Sequence, residues 1–238
     1  MPHTKKTELI VALDVPHVDT AYSIVQKLHD LPVIFKIGSE LFLHSGPDFV
    51  KGLVHEKQRI FLDLKFHDIP NTVVQAAKAV ALMHVEMFTL HLSGGSRMVQ
   101  SVTEAFREIP ALRPKVLGVS VLTSFDDVQW AEVTKTISGH AIEVKNSAER
   151  LIAEGIRWGV DGIVCSAFEL EFVTKNFPQT YAVVPGIRPA GSEKGDQARV
   201  MTPKEAKQKG ASAIVVGRPI TQSSDPRAIA EQILSEIV

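Results

Sequence analysis

A (β/α)8 barrel of the TIM class, with residues 1–238 forming one domain, is the fold this 238-residue sequence predicts. Three observations point to it. Eight short apolar runs recur along the chain, helical patterns separate them, and charged residues gather where the runs end. A closed barrel of ordinary size needs about this many residues.

The strands are expected at 9–15 (LIVALDV), 32–38 (PVIFKIG), 59–65 (RIFLDLK), 86–92 (EMFTLHL), 115–121 (KVLGVSV), 161–166 (DGIVCS), 181–187 (YAVVPGI) and 212–218 (SAIVVGR). Near-continuous apolarity is what a parallel strand shows when helices cover its outer face. Between them, 71–83 and 148–159 carry clear helical patterns. Two helix starts are marked by their chemistry. Thr202 is followed by Pro203 at the first helical position and Glu205 at the third, and Asp225 precedes Pro226. The competing α/β architecture, an open doubly wound sheet, usually has fewer strands. It also lacks support after the first strand, where Asp14-Val15-Pro16 replaces a glycine-rich dinucleotide loop. Two connections are long, 123–142 and 188–201. The second is polar, contains Gly191 and Gly195, and is expected to be a mobile lid at the active end.

Composition excludes several classes. Lys plus Arg number 26 against 27 Asp plus Glu, so no net charge draws the chain to nucleic acid or an acidic membrane. Two Trp, two Tyr and no basic aromatic stripe argue against an oligonucleotide surface. No apolar run reaches the roughly 18 residues of a membrane span, and the opening MPHTKKTE does not read as a signal peptide. The single cysteine, Cys165, rules out an internal disulfide and fits a reducing compartment, so a cytoplasmic protein is expected.

Chemistry in a barrel sits at the C-terminal ends of the strands. There the sequence places Asp14, Lys36, Asp63 and Lys65, then Asp68, Arg188, Gly217 and Arg218. Strand alternation lets Asp63 and Lys65 share a face, and Lys36 comes from the neighbouring strand. Such a cluster could be a mere salt-bridge network, yet apolar residues would stabilise a barrel end more cheaply. A lysine held between carboxylates stays an ammonium and can serve as an aimed acid. Arg188, Gly217 and Arg218 follow strands seven and eight, where this fold often grips phosphate. The nine histidines show no zinc-type spacing, and His67 and His91 read as supporting groups. Cys165 reads as a core thiol. A glycosidase carboxylate pair does not fit, because lysine lies inside the acidic cluster.

These residues resemble the bacterial orotidine 5'-phosphate decarboxylase family along the whole chain. The likeness is carried by LIVALDVP, FKIGSELF, FLDLKFHDIPNTV, HLSGG, VLTS, DGIVCS, VVPGIRP, GDQARVMTP and VVGRPIT. It implies conversion of orotidine 5'-phosphate to uridine 5'-phosphate (UMP) and carbon dioxide, with neither metal nor organic cofactor. It also implies a tetrad of Lys36, Asp63, Lys65 and Asp68 in a homodimer, with Asp68 reaching the neighbouring subunit's site. Asp14 and Thr72 match ribose contacts, Thr72 again from the partner. Thr123 and Ser124 match the loop over the pyrimidine, while Arg188, Gln197, Gly217 and Arg218 match the phosphate grip.

Two other functions are weighed against this one. Related phosphosugar decarboxylases, acting on 3-keto-gulonate 6-phosphate, share the Asp-x-Lys-x-x-Asp pattern but use magnesium. Their metal-binding glutamate is replaced here by Lys36, and Glu40 is out of place for that role. A non-catalytic nucleotide-binding barrel would have no need of both lysines.

Overall fold

A computed structural model describes residues 6–138, 143–189 and 201–237. Eight parallel strands close on themselves in chain order: β1 Glu8–Ala12, β2 Val33–Gly38, β3 Arg59–Phe66, β4 Met87–His91, β5 Lys115–Val119, β6 Gly162–Val164, β7 Tyr181–Val184 and β8 Ala213–Val216. Closure is made by β8 pairing with β1, Leu9 beside Ile214. Around them run α1 Val18–Leu28, α2 Ser39–His55, α3 Pro70–Ala81, α4 Gly95–Ala105, α5 Asp127–Ser138, α6 Val144–Arg157, α7 Leu170–Asn176, α8 Pro203–Gln208, α9 Arg218–Thr221 and α10 Pro226–Ile237. None of the described helices is long and apolar enough to cross a membrane.

Alternation along each strand divides the core into two layers. Ile10, Ile34, Phe61, Met87, Leu117, Val183 and Ala213 fill the barrel's interior. Their neighbours, such as Leu9, Val11, Phe35, Leu62 and Phe88, pack outward under the helices. Both faces of every strand are thus buried, which is why the runs look almost uniformly apolar.

All strands but β3, which runs one residue further to Phe66, are shorter than expected, chiefly at their C-terminal ends: the predicted 9–15, 181–187 and 212–218 stop at Ala12, Val184 and Val216. Beyond those points the chain leaves the ladder for the barrel mouth. The long 123–142 connection contains α5. The helix expected at 148–159 begins at Val144, whose N–H donates to Asp127 Oδ1 at 2.9 Å. That cap comes from another segment, so no local signal announces it. Thr202 does form the expected capping box with Glu205, and Asp225 accepts the Ala228 N–H at 3.0 Å.

The N-terminal pole of the barrel is plugged by charge. Glu8, Arg59, Lys115 and Tyr181 are the first residues of β1, β3, β5 and β7, and Glu86 precedes β4. Arg59 bonds Glu86 through both its Nε (2.6 Å) and an Nη (2.7 Å), and reaches Glu8 at 2.7 Å. Lys115 donates to Glu86 at 3.0 Å and Tyr181 Oη to Glu8 at 2.6 Å. A layer contributed by alternate strands is the packing rule of this fold. Here the layer is ionic and fully paired, and it leaves the opposite pole open for chemistry.

Candidate active site

At the C-terminal pole a cavity of about 480 Å³ opens into the barrel. Asp14, Lys36, Asp63, Lys65, Thr123, Arg188, Gly217 and Arg218 all line it, so the structure brings together most of the residues singled out from the sequence. Lys36 projects from β2, its Nζ 2.8 Å from Asp14 Oδ1 and 3.6 Å from Asp63 Oδ2. Lys65 Nζ lies 2.9 Å from the same Asp63 oxygen. One carboxylate oxygen therefore serves two ammonium groups. Lys36 is buried to 10% side-chain exposure, whereas Lys65 keeps 37% and faces the opening.

Simple alternation does not account for how Lys65 gets there. Between Leu62 and Phe66 the β3–β4 register shifts, four steps on β3 being matched by two on β4. Lys65 sits in this bulge with φ +51°, a left-handed conformation uncommon outside glycine. The bulge re-aims the lysine, and Thr89 on β4 secures it. The Thr89 hydroxyl accepts the Lys65 N–H and donates to Asp63 Oδ1, both at 2.9 Å.

Burial alone would push the Asp63 carboxyl up. The Lys36 and Lys65 charges, with hydrogen bonds from Lys65 and Thr89, outweigh it and hold the group below the usual carboxylate range. His91, also on β4, is pushed down by burial and then by the His67 and Lys65 charges, and its ring contacts that of His67 at 5.4 Å. Both histidines thus flank the lysine, as supporting groups would.

Two arginines also line the cavity. Arg188 is held below the usual guanidinium range, first by burial and then by the positive charge of Arg218. Two cations facing one opening favour an anion between them. Arg218 begins the four-residue α9, and Gly217 O accepts from Ile220 N (2.8 Å) and Thr221 N (3.0 Å). Val119, Val121, Leu122, Val164, Pro185 and Val215 add apolar surface to the lining.

Three expected residues stand outside this lining. Asp68 and Thr72 are exposed and line a separate depression of about 260 Å³ that shares Lys65 with the main cavity. Asp68 Oδ1 accepts the Ile69 N–H at 2.6 Å. Ser124 is exposed beside Thr123, outside the lining. Gln197 and most of the expected lid, 190–200, lie outside the described residues. The described residues on either side of that segment are joined by an Ile187–Met201 bridge and by Arg188 N donating to Met201 O at 2.9 Å. Cys165 is buried and its thiol pushed up, by burial first and by Glu169 second, as a core residue should be.

Sequence reasoning missed Thr89 and Gln222, which also lines the cavity. Thr89 shares its strand phase with His91, but threonine is an ordinary strand residue and gives no other signal.

The sequence profile of the Orotidine 5'-phosphate decarboxylase / HUMPS family matches residues 7–233. The orotidine 5'-phosphate decarboxylase of Vibrio cholerae is 40% identical over 234 residues, covering 97% of this chain and 98% of that protein. That of Moorella thermoacetica is 41% identical over 237 residues, 98% and 92% of the two chains. The crystal structure of orotidine 5'-phosphate decarboxylase from Lactobacillus acidophilus superposes with a TM-score of 0.83 at 38% identity, covering 97% and 99%. Likeness of this extent in both sequence and fold places the chain in one group: it belongs to the orotidine 5'-phosphate decarboxylase / HUMPS family.

Proposed function

We propose that the protein decarboxylates orotidine 5'-phosphate to uridine 5'-phosphate and carbon dioxide, the last step of UMP synthesis, by electrostatics alone. The observation that carries this reading is the Asp63 oxygen shared by Lys36 and Lys65, two ammonium groups that both line the cavity, the second being the more exposed. The relatives named above, about 40% identical, support it. The magnesium-dependent branch needs an acidic ligand where Lys36 Nζ stands, between Asp14 and Asp63. Glu40 is exposed on the first turn of α2, outside the cavity lining.

The chemistry sets the demands. Breaking the bond from C6 to the carboxylate releases carbon dioxide and leaves the electron pair on C6, in the ring plane and poorly delocalised. No Schiff base or thiamine-type sink is suited to that position. Preorganised charge must stabilise the pair, and a proton must quench it. Lys65 does both: its ammonium lies beside C6, lowers the energy of the developing carbanion and then donates the proton. Asp63 keeps both ammonium groups charged and aimed, and its own charge repels the departing carboxylate. Lys36 aligns Asp63 and, with Asp14, meets the ribose hydroxyls. Thr123 and Ser124 belong to the loop over the pyrimidine.

Arg188, Gly217, Arg218 and Gln197 bind the phosphate. Its binding energy, remote from C6, goes into closing the 188–201 loop and excluding water. The active unit is a homodimer in which Asp68 and Thr72 complete the partner's site, and the setting is the cytoplasm. The exposure of Asp68, Thr72 and the large apolar Ile69 between them supports such an interface.

Absorbance loss from orotidine 5'-phosphate, compared with unphosphorylated orotidine, tests the reading. Wild type is expected to consume the phosphorylated compound with stoichiometric carbon dioxide release. Arg218→Ala is expected to weaken kcat/KM for it by roughly 100-fold, the loss of a charge-assisted contact, while barely changing the reaction of orotidine. An inactive wild type defeats the proposal. Equal losses for both substrates remove Arg218 from the phosphate grip.

A further inference from the structure

Thr89 is completely buried on β4, and its single hydroxyl joins the two residues that carry the proposed chemistry. It donates to Asp63 Oδ1 and accepts the N–H of Lys65, each at 2.9 Å. We propose that Thr89 is a positioning residue for decarboxylation, fixing with one oxygen both the rotation of the Asp63 carboxylate and the backbone turn that presents Lys65. This inference rests on the function proposed above and assigns Thr89 no contact with substrate.

The geometry explains why a hydroxyl is needed. Asp63 has two oxygens with separate duties: Oδ2 faces Lys65 at 2.9 Å and Lys36 at 3.6 Å, and Oδ1 faces Thr89. With Thr89 holding Oδ1, the carboxylate plane cannot rotate to share its oxygens between the lysines. Without that donor, Oδ1 would be a buried anionic oxygen lacking a partner, which is costly. The carboxylate would then turn toward the ammonium groups and draw Lys65 away from the cavity.

The second bond acts on the main chain. Lys65 lies in the β3 bulge at φ +51°, where register with β4 is broken and a ladder partner for its N–H is missing. The Thr89 oxygen replaces that partner. A hydroxyl both donates and accepts through one atom, a capacity that valine, its isostere, lacks.

The charged groups facing Asp63 are Lys36 and Lys65, with Asp14 beyond Lys36, and the titratable His91 lies close enough to feel its charge. Burial raises its affinity for protons, and the lysines together with the Thr89 bond lower it. A carboxylate depressed in this way stays ionised through neutral pH and is lost only as pH falls through its folded pKa. Removing the Thr89 donor moves that loss to higher pH.

The experiment compares Thr89→Val with Thr89→Ser. Val is expected to lower kcat roughly 10- to 100-fold, the loss of a hydrogen bond to a charged group, with KM little changed. The acid limb of its kcat/KM profile moves to higher pH, and Ser restores both kcat and the limb. A carbon-13 NMR titration of the Asp63 carboxyl in ligand-free protein gives a readout independent of turnover. It should report easier protonation in Val and wild-type behaviour in Ser. Should Val fail to fold, Thr89→Ala replaces it in the same comparison. An inactive wild type would count against the functional proposal, and the titration would still judge Thr89. Unchanged kcat and titration in Val, or a loss that Ser does not restore, overturns the inference.

Discussion

Lys65→Ala is expected to fold like wild type and to lose decarboxylation by roughly 100,000-fold, since the proton donor and the nearest cation disappear together. The fold should tolerate the change because the ammonium is 37% exposed and its carbon stem leaves from a bulge rather than from the packed core. Lys36 remains 3.6 Å from Asp63, so the carboxylate is not left without a cation. The loss should fall mainly on kcat, because the ammonium acts on charge that develops only as carbon dioxide departs. Thermal melting with steady-state absorbance kinetics checks both halves. A folded mutant with near-wild-type turnover would remove Lys65 from the mechanism.

The second large effect is a recovery. Asp68 and Thr72 line a depression outside the cavity that Asp63 and Arg218 share. If a partner's cavity receives them, Lys65→Ala and Asp68→Ala inactivate different halves of one composite site. Each mutant alone is expected to be nearly inactive. Mixed at equal concentration and allowed to exchange, about half the dimers carry one chain of each kind. Every such dimer has one site with both defects and one with neither, so activity should approach roughly one quarter of wild type. Subunit exchange confirmed by mass spectrometry without recovery would mean that each site is built from a single chain.

What the sequence made legible is the material that strands and helix ends must display. Strands buried on both faces read as apolar runs, so all eight were visible, and the Thr202 and Asp225 caps stand in fixed local order. Polar residues at the ends of those runs had no reason to be there except the mouth, which brought Asp14, Lys36, Asp63, Lys65, Arg188 and Arg218 into view together. Features that depend on two distant segments were hidden. The Lys65 bulge exists only as a mismatch between β3 and β4. Thr89 looks like any β-branched strand residue until Asp63 is seen beside it. The start of α6 is capped by Asp127, and the charged plug of Glu8, Arg59, Glu86, Lys115 and Tyr181 assembles only when the barrel closes. Strand ends were overread because apolar residues continue past the last ladder bond into the mouth.

The same geometry separates metal-free from metal-assisted chemistry. Lys36 Nζ fills the space between Asp14 and Asp63 where a divalent cation would need oxygen ligands, and an ammonium there repels such an ion. Turnover of orotidine 5'-phosphate by wild type, followed by absorbance before and after exhaustive treatment with excess chelator, is therefore the most direct measurement. Full activity in chelator, unaltered by added magnesium, is the predicted result; activity abolished by chelator and restored by magnesium would contradict an electrostatic site built from lysine and aspartate alone.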